Sequence, residues 1–270
     1  MKKLSLIFLI ISASCFAQKA IVTKTGGITK AVLMTTAMST GSITKVQSFH
    51  QYPSVRGTSY PFGSSNSAGN LIVVWVGGKT VAGGTFSLTV TDTHGNSYSS
   101  LSAASSGANL DSYSQIWYCY NCLAGANSII ITNDYFGDVG FQATEYSGIK
   151  STSDPLDVAM TPMCALGNNT TSLTSNSFSP QSGSLIFIGL MSENVNFGTT
   201  TANDGITIFQ YDSGHWDWEG NNLSSTAGTQ TFTLSFTNSM GNTKYYALVA
   251  ACFLAASTSS PTPPKLLIKY

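Results

Sequence analysis

Between residues 70 and 254 the chain is a succession of short apolar or alternating runs cut by Gly, Asn, Asp and Ser. That pattern has room for strands and for little else. "NLIVVWV" (70–76), "TFSLTVTD" (85–92), "SYSSL" (97–101), "SQIWYCY" (114–120), "NSIIIT" (127–132) and "GFQATEYS" (140–147) come first. "TSLTSNSF" (171–178), "SLIFIGLMS" (184–192), "GITIFQYD" (205–212), "TQTFTLSFT" (229–237) and "YYALVAACFL" (245–254) follow. Runs of this length, rich in β-branched and aromatic residues, read as strands and the punctuation between them as turns. "TDTHGNSY" reads as a hairpin, with Gly95 or Asn96 supplying a positive φ. No apolar period of 3.6 residues persists long enough for a helix.

The runs also come in two similar series. "SAGNLIVVWV" is answered by "QSGSLIFIGL", and "NSIIITN" by "QTFTLSFTN". Trp117, Asn121 and Ala124-Gly125 are answered by Trp218, Asn222 and Ala227-Gly228. A fold built twice explains the order of these features. The prediction is an all-β, jelly-roll-like antiparallel β-sandwich with an internal two-fold repeat. The sandwich domain spans 60–256, with halves at 66–148 and 171–256 and a link over 149–170. Residues 18–59 form an N-terminal extension that adds an edge strand around "ITKVQSFH". Residues 257–270 are a Pro-rich linker and a short apolar tail, "KLLIKY".

The opening "MKKLSLIFLIISASCFAQ" places a basic pair before a short apolar core and small residues, which is the layout of a signal peptide over 1–17. Its apolar run is too short to cross a bilayer core of roughly 30 Å. Cys15 sits where a lipid could be attached, but Ser12 stands in the place of the usual Leu, so simple export is expected. No later segment has the length of a membrane helix. Lys and Arg number 12, Asp and Glu 12, and Arg56 is the sole arginine. Nucleic-acid binding relies on clustered cations, so no nucleic acid is expected as a partner. In an oxidising, extracellular compartment Cys119, Cys122, Cys164 and Cys252 are expected to form structural disulfides, with Cys119 and Cys122 bridged locally across a turn.

Sugars stack apolar faces on aromatic rings, while neighbouring polar side chains bond their hydroxyls. "HWDWEGNN" offers this combination. The expected ligand contacts are Trp216, Trp218 and Tyr211, with Asp217, Glu219 and Asn221. An enzyme reading, a polysaccharide hydrolase or lyase, would use a pair among Glu145, Glu193, Asp217 and Glu219 held across a cleft. A buried Glu145 without a partner would have a raised pKa suited to an acid. No G-x-S-x-G elbow is present, and His50, His94 and His215 lack zinc-ligand spacing. Calcium is the one cofactor with candidate ligands, Asp134 and Asp138 in "NDYFGD".

"NSAGNLIVVWV", "VTDTHGNSY", "IWYCYN…AGANSIIIT" and "EYSG…DPLD" together resemble β-sandwich modules of secreted bacterial proteins, of the kind found beside carbohydrate-binding and fibronectin-like domains. The resemblance covers most of 60–255 and carries no catalytic set; it implies extracellular adhesion or glycan contact. The expected function is a secreted, non-catalytic module that binds a polysaccharide, a cell-surface glycan or another extracellular polymer. The alternatives are the paired-carboxylate enzyme and a structural subunit whose terminal segment adds a strand to a neighbour.

Overall fold

The computed structural model describes residues 16–25, 28–37, 39–52, 56–80, 87–106, 112–133, 136–192, 199–203, 205–211, 217–240 and 245–258. Side chains are described from residue 41 on, except at 80, 136–138, 209–211, 217–219 and 258. The chain divides into two compact units, one drawn from Met1–Thr40 and Ser257–Tyr270, the other Gly41–Ala256. In the first unit β1 (Phe16–Thr25) pairs antiparallel with β2 (Ile28–Ala37), and β3 (Ser39–Thr40) pairs with β22 (Ser257–Thr258).

The second unit is all strand and all antiparallel. Its first half runs β4 (Thr44–Gln51), β5 (Ser59–Pro61), β6 (Leu71–Thr80), β7 (Leu88–Asp92), β8 (Ser99–Ser100), β9 (Ala104–Ser105), β10 (Tyr113–Cys119), β11 (Ser128–Asn133) and β12 (Phe136–Ser147). These form a six-stranded sheet ordered β4-β12-β6-β10-β8, with β9 also on β10, and a three-stranded sheet β5-β11-β7. The second half runs β13 (Leu156–Ala159), β14 (Met163–Leu166), β15 (Ser172–Thr174), β16 (Leu185–Ser192), β17 (Thr200–Ala202), β18 (Thr207–Tyr211), β19 (Asp217–Asn222), β20 (Thr233–Phe236) and β21 (Tyr245–Phe253). Its six-stranded sheet is ordered β13-β21-β16-β19-β18, with β14 also on β21, and its three-stranded sheet is β15-β20-β17. The expected link over 149–170 therefore contains two strands. β13 and β14 together flank β21 as β4 flanks β12. Among the described residues no helix is long and apolar enough to cross a membrane.

Each half closes its own sandwich, where the sequence suggested one core shared by both. Ile72, Val74, Val76, Phe141, Ile129 and Ile131 fill the first, and Ile186, Ile188, Leu190, Leu248, Phe232 and Leu234 the second. A third cluster lies between the two six-stranded sheets. It joins Leu71, Val73, Trp75, Ile116, Tyr118 and Tyr146 to Leu185, Phe187, Met191, Val249, Ala251 and Phe253. Both faces of these sheets are thus buried, which is why "LIVVWV", "LIFIGLM" and "ALVAACF" are continuous apolar runs. The outer strands have one wet face and alternate, as in "LTVTD" and "TLSF".

The halves repeat their turns as well as their strand order. Gly69 (φ 81°) donates its N–H to Cys122 O at 2.9 Å, and Cys122 N–H donates to Asn70 O at 3.1 Å. Gly183 (φ 79°) donates to Ser225 O at 2.8 Å, and Ser225 N–H to Ser184 O at 2.9 Å. Phe62 N–H on Asn127 O matches Phe178 N–H on Gln230 O, both at 3.0 Å. These bonds make Asn70 the counterpart of Ser184, Cys122 of Ser225 and Asn127 of Gln230. Register then departs from the sequence match at two positions, Asn222 answering Cys119 rather than Asn121, and the tryptophans not answering each other. Trp117 lies opposite Val74 but Trp218 opposite Leu190, so the counterpart of Trp218 is Gln115.

Trp75 keys the two sandwiches together. Its Nε1–H donates to Ser114 Oγ at 2.7 Å, and Ser114 Oγ–H donates to Gly189 O on the opposing sheet at 3.4 Å. A Cβ placed on Gly189 would meet the Trp75 ring at 2.1 Å. Gly189→Ala is expected to lower the unfolding free energy by about 1–3 kcal/mol through overpacking. Gly63→Ala, where an added Cβ meets nothing within 4 Å, should stay within about 0.5 kcal/mol. Urea denaturation of the two variants checks the contrast.

Candidate functional site

The carboxylates were the natural place to look for chemistry, and Glu145 is the one among the enzyme candidates whose side chain is described. It stands on β12 beside a register shift between Glu145 and Tyr146 in the pairing with β4, fully buried and on the side of its own sandwich. Four donors converge on it: Gln47 Nε2 at 2.6 Å, Asn66 Nδ2 at 2.7 Å, Ser67 N at 2.8 Å and Asn70 Nδ2 at 2.7 Å. Burial raises its pKa, but these hydrogen bonds outweigh burial and hold the carboxyl below its ordinary 4.5. The raised pKa of a buried acid is therefore not found. Glu145 is an ionised clamp on the 66–70 turn, with its acceptor positions filled.

The second half clamps the same turn from the neighbouring strand. Asp157 on β13 accepts from Gln181 N at 2.6 Å, the counterpart of Ser67 N, and from Ser184 Oγ at 3.1 Å, the counterpart of Asn70. Asp92, in the first half, accepts from His94 N, Asn96 N, Asn96 Nδ2, Tyr98 OH and Asn127 Nδ2 at 2.7–3.1 Å. Burial raises its pKa as well, and the bonds from Asn96, Asn127 and Tyr98 bring it below 3.8. Among the described residues no group of three His, Cys, Asp or Glu could hold a metal ion.

The remaining enzyme candidates are not brought to a shared cleft by anything described. Glu193 and Trp216 lie outside the described residues, as does Asp134. Asp217, Trp218 and Glu219 are placed on β19 and Tyr211 on β18 by backbone only, and Asp138 likewise on β12. Asn221 is buried, and its Nδ2 donates to Tyr146 OH across the sandwich interface at 2.7 Å. Of the first-half aromatics, Trp117 is half-buried against its core and donates Nε1–H to Gln115 Oε1 at 3.0 Å. Tyr118 is buried, packed edge-on to Phe253 and bonded to Asp154. Both are packing residues.

The expected disulfides are absent: all four cysteines are free thiols. Cys122 Sγ–H donates to Cys119 O at 3.1 Å within the turn that Asn121 (φ 53°) makes. Hydrogen bonding to the Cys119 side chain, then burial, push the Cys122 thiol up and keep it protonated. Cys164 lies opposite Ala247, while Cys252 is five residues further along β21. Five residues of strand span about 17 Å, far beyond disulfide reach. Burial pushes the Cys164 thiol up to about 11.

What the structure does offer is a neutral cleft of about 510 Å³ at one end of the second sandwich. Asn222 lines it from the six-stranded sheet, and Asn203, Thr229, Gln230 and Thr231 from the three-stranded side, with Thr226 between. None of the six carries a charge. Some of their valence is spent on shape: Asn203 Oδ1 accepts Thr233 N–H at 2.6 Å, Asn222 Oδ1 accepts Ser224 N–H at 2.9 Å, and Gln230 Nε2 donates to Thr226 Oγ1 at 2.7 Å. The other side of Asn222 faces an adjoining hollow of about 370 Å³ lined by Lys45, Thr207, Asn221 and Leu223 among others, and Leu223 is exposed. The sequence signal was faint, a run of Thr, Asn and Gln in "TTTANDG" and "TAGTQT" that charge-based and aromatic-based reading passes over.

No protein-family model, curated protein or solved structure matches the chain. The site therefore stands on its geometry.

With their folded pKa values lowered, Glu145 and Asp92 contribute stability that is complete above their ordinary values of 4.5 and 3.8 and is lost as pH falls through the depressed ones. The urea midpoint should be level above pH 5 and fall below pH 4.5. Glu145→Gln, which sets an amide N–H against four donors, should cost about 3–5 kcal/mol at pH 7 and flatten the acid limb. A titration of urea midpoints against pH reads both.

Proposed function

We propose that this chain is a secreted, non-catalytic binder of a neutral glycan or similar uncharged extracellular polymer, with the Asn222 cleft as its site. The observation that carries the reading is the lining: among the described residues it consists of amides and hydroxyls without a charged side chain, in a hollow within the usual size range of ligand pockets. Amides and hydroxyls donate and accept alike, which suits sugar hydroxyls, and a hollow without charge does not favour ions. Leu223 beside the cleft supplies an apolar surface of the kind a sugar face packs on. The signal-peptide layout of residues 1–17 supports export, and the zero net charge agrees with a neutral partner.

The architecture supports the same reading at a coarser level. The shared strand order and the matching bonds at Gly69 and Gly183 favour a tandem of two jelly-roll-type sandwiches made by duplication. Such folds host many functions, so the function rests on the cleft. Against the hydrolase alternative stands Glu145, ionised and enclosed by four donors.

The mature protein should be retained on neutral polysaccharide resins without releasing reducing ends. Asn222→Ala should weaken binding about 10-fold, the worth of one or two lost hydrogen bonds, and Glu145→Asp should leave it unchanged in the folded protein. Release of reducing ends by the purified chain would replace this reading with an enzyme.

A further inference from the structure

The counterpart of the Asn222 cleft in the first sandwich is filled by the protein itself. Matching the turns, Asn222 corresponds to Cys119, Thr226 to Leu123, Gly228 to Gly125 and Gln230 to Asn127. A Cβ on Gly228 would meet nothing within 4 Å, whereas one on Gly125 would meet His94 Cε1 at 2.6 Å. Strand length makes the difference. β7 pairs as far as Asp92 opposite Ile129, but β17 stops at Ala202 opposite Leu234, two rungs short of the counterpart of Ile129, Phe232. The longer strand carries its turn over the end of the sandwich. Asn96 Oδ1 then accepts Leu123 N–H at 3.0 Å, and Tyr98, packed on the core, donates its hydroxyl to Asp92. Under this cover Cys119 is buried, while its counterpart Asn222 lines the open cleft; Cys122 and its counterpart Ser225 are both buried.

We propose that the open end of the second sandwich is a binding site made by withdrawing this plug, and that His94 occupies in the first sandwich the place that ligand takes in the second; Tyr98 is matched on the ladder by Ile206, which is buried in the second core. This rests on the neutral-polymer reading and deepens it. The chain binds one ligand, at its second half. The plug also gives the ligand's measure at this point: one ring, the imidazole that stands over Gly125. A single ring of a neutral sugar polymer matches that measure.

Two measurements on the full chain test this. Isothermal titration with cello-, xylo-, manno- and chito-oligosaccharides should give one site per chain. Asn222→Ala and Thr231→Ala should weaken it about 10-fold, and His94→Gly and Leu123→Ala should leave it unchanged. Two sites per chain, or weakening by the first-half variants, would overturn the one-sided assignment. If no oligosaccharide binds, the polymer reading fails, and the plug is judged alone by a thiol reagent. Cys119 and Cys122 should be silent in the native chain and react at least 10-fold faster in His94→Gly, with the thermal midpoint recorded to separate opening from unfolding. An unchanged thiol rate in a folded His94→Gly variant would overturn the plug.

Discussion

Everything in the Gly41–Ala256 unit depends on two six-stranded sheets having no wet face. Each must satisfy its inner face with its own three-stranded sheet and its outer face with the other half. Non-directional burial alone would tolerate sliding between two flat apolar surfaces. Sliding is opposed by Trp75, whose ring lies over Gly77 and against Gly189, and by the Ser114 hydroxyl that ties the indole to the opposing backbone. Ser112 Oγ–H and Ser192 Oγ–H both donate to Tyr245 O and add direction along the same seam.

The low charge of the chain has a structural counterpart in how its buried carboxylates are held. Glu145 and Asp92 are met by amide, hydroxyl and backbone N–H donors. Such donors stabilise the ionised form at short range and leave no second buried charge to desolvate. They also fasten turns to strands: Glu145 and Asp157 hold the two glycine turns, and Asp92 holds the plug. The polar residues that dominate the composition are thus divided between clamping turns and lining one cleft.

Strands were legible because their periodicity is imposed by burial, and burial differs predictably between doubly covered and singly covered sheets. Continuous runs such as "LIFIGLM" and alternating ones such as "LTVTD" can be told apart on the page. The segment 149–170 was read as a link because its strands are four residues long and half-exposed, so neither pattern develops. The pairing of Trp117 with Trp218 failed because aromatic identity does not report ladder register; the positive-φ glycines, Gly69 and Gly183, do. Cysteine count suggested bridges, but it is spacing across the sheet that decides, and Cys164 and Cys252 lie too far apart on their ladder. The cleft was invisible for a related reason. It is created by a strand two rungs shorter than its counterpart, and its lining residues are of the types that elsewhere make ordinary turns.

Trp75 and Gly189 occupy counterpart positions, as do Gly77 and Met191, and in each pair one residue is large where the other is glycine. In a symmetric pair of identical subunits, a residue beside the two-fold axis meets its own copy, so size must be compromised there. Carrying both sandwiches on one chain removes that restriction. The seam is pseudo-symmetric in its strands yet complementary in its side chains, bulk against gap. Two copies of the first half would bring tryptophan against tryptophan and two of the second would leave a hole, so each half is shaped to accept only the other.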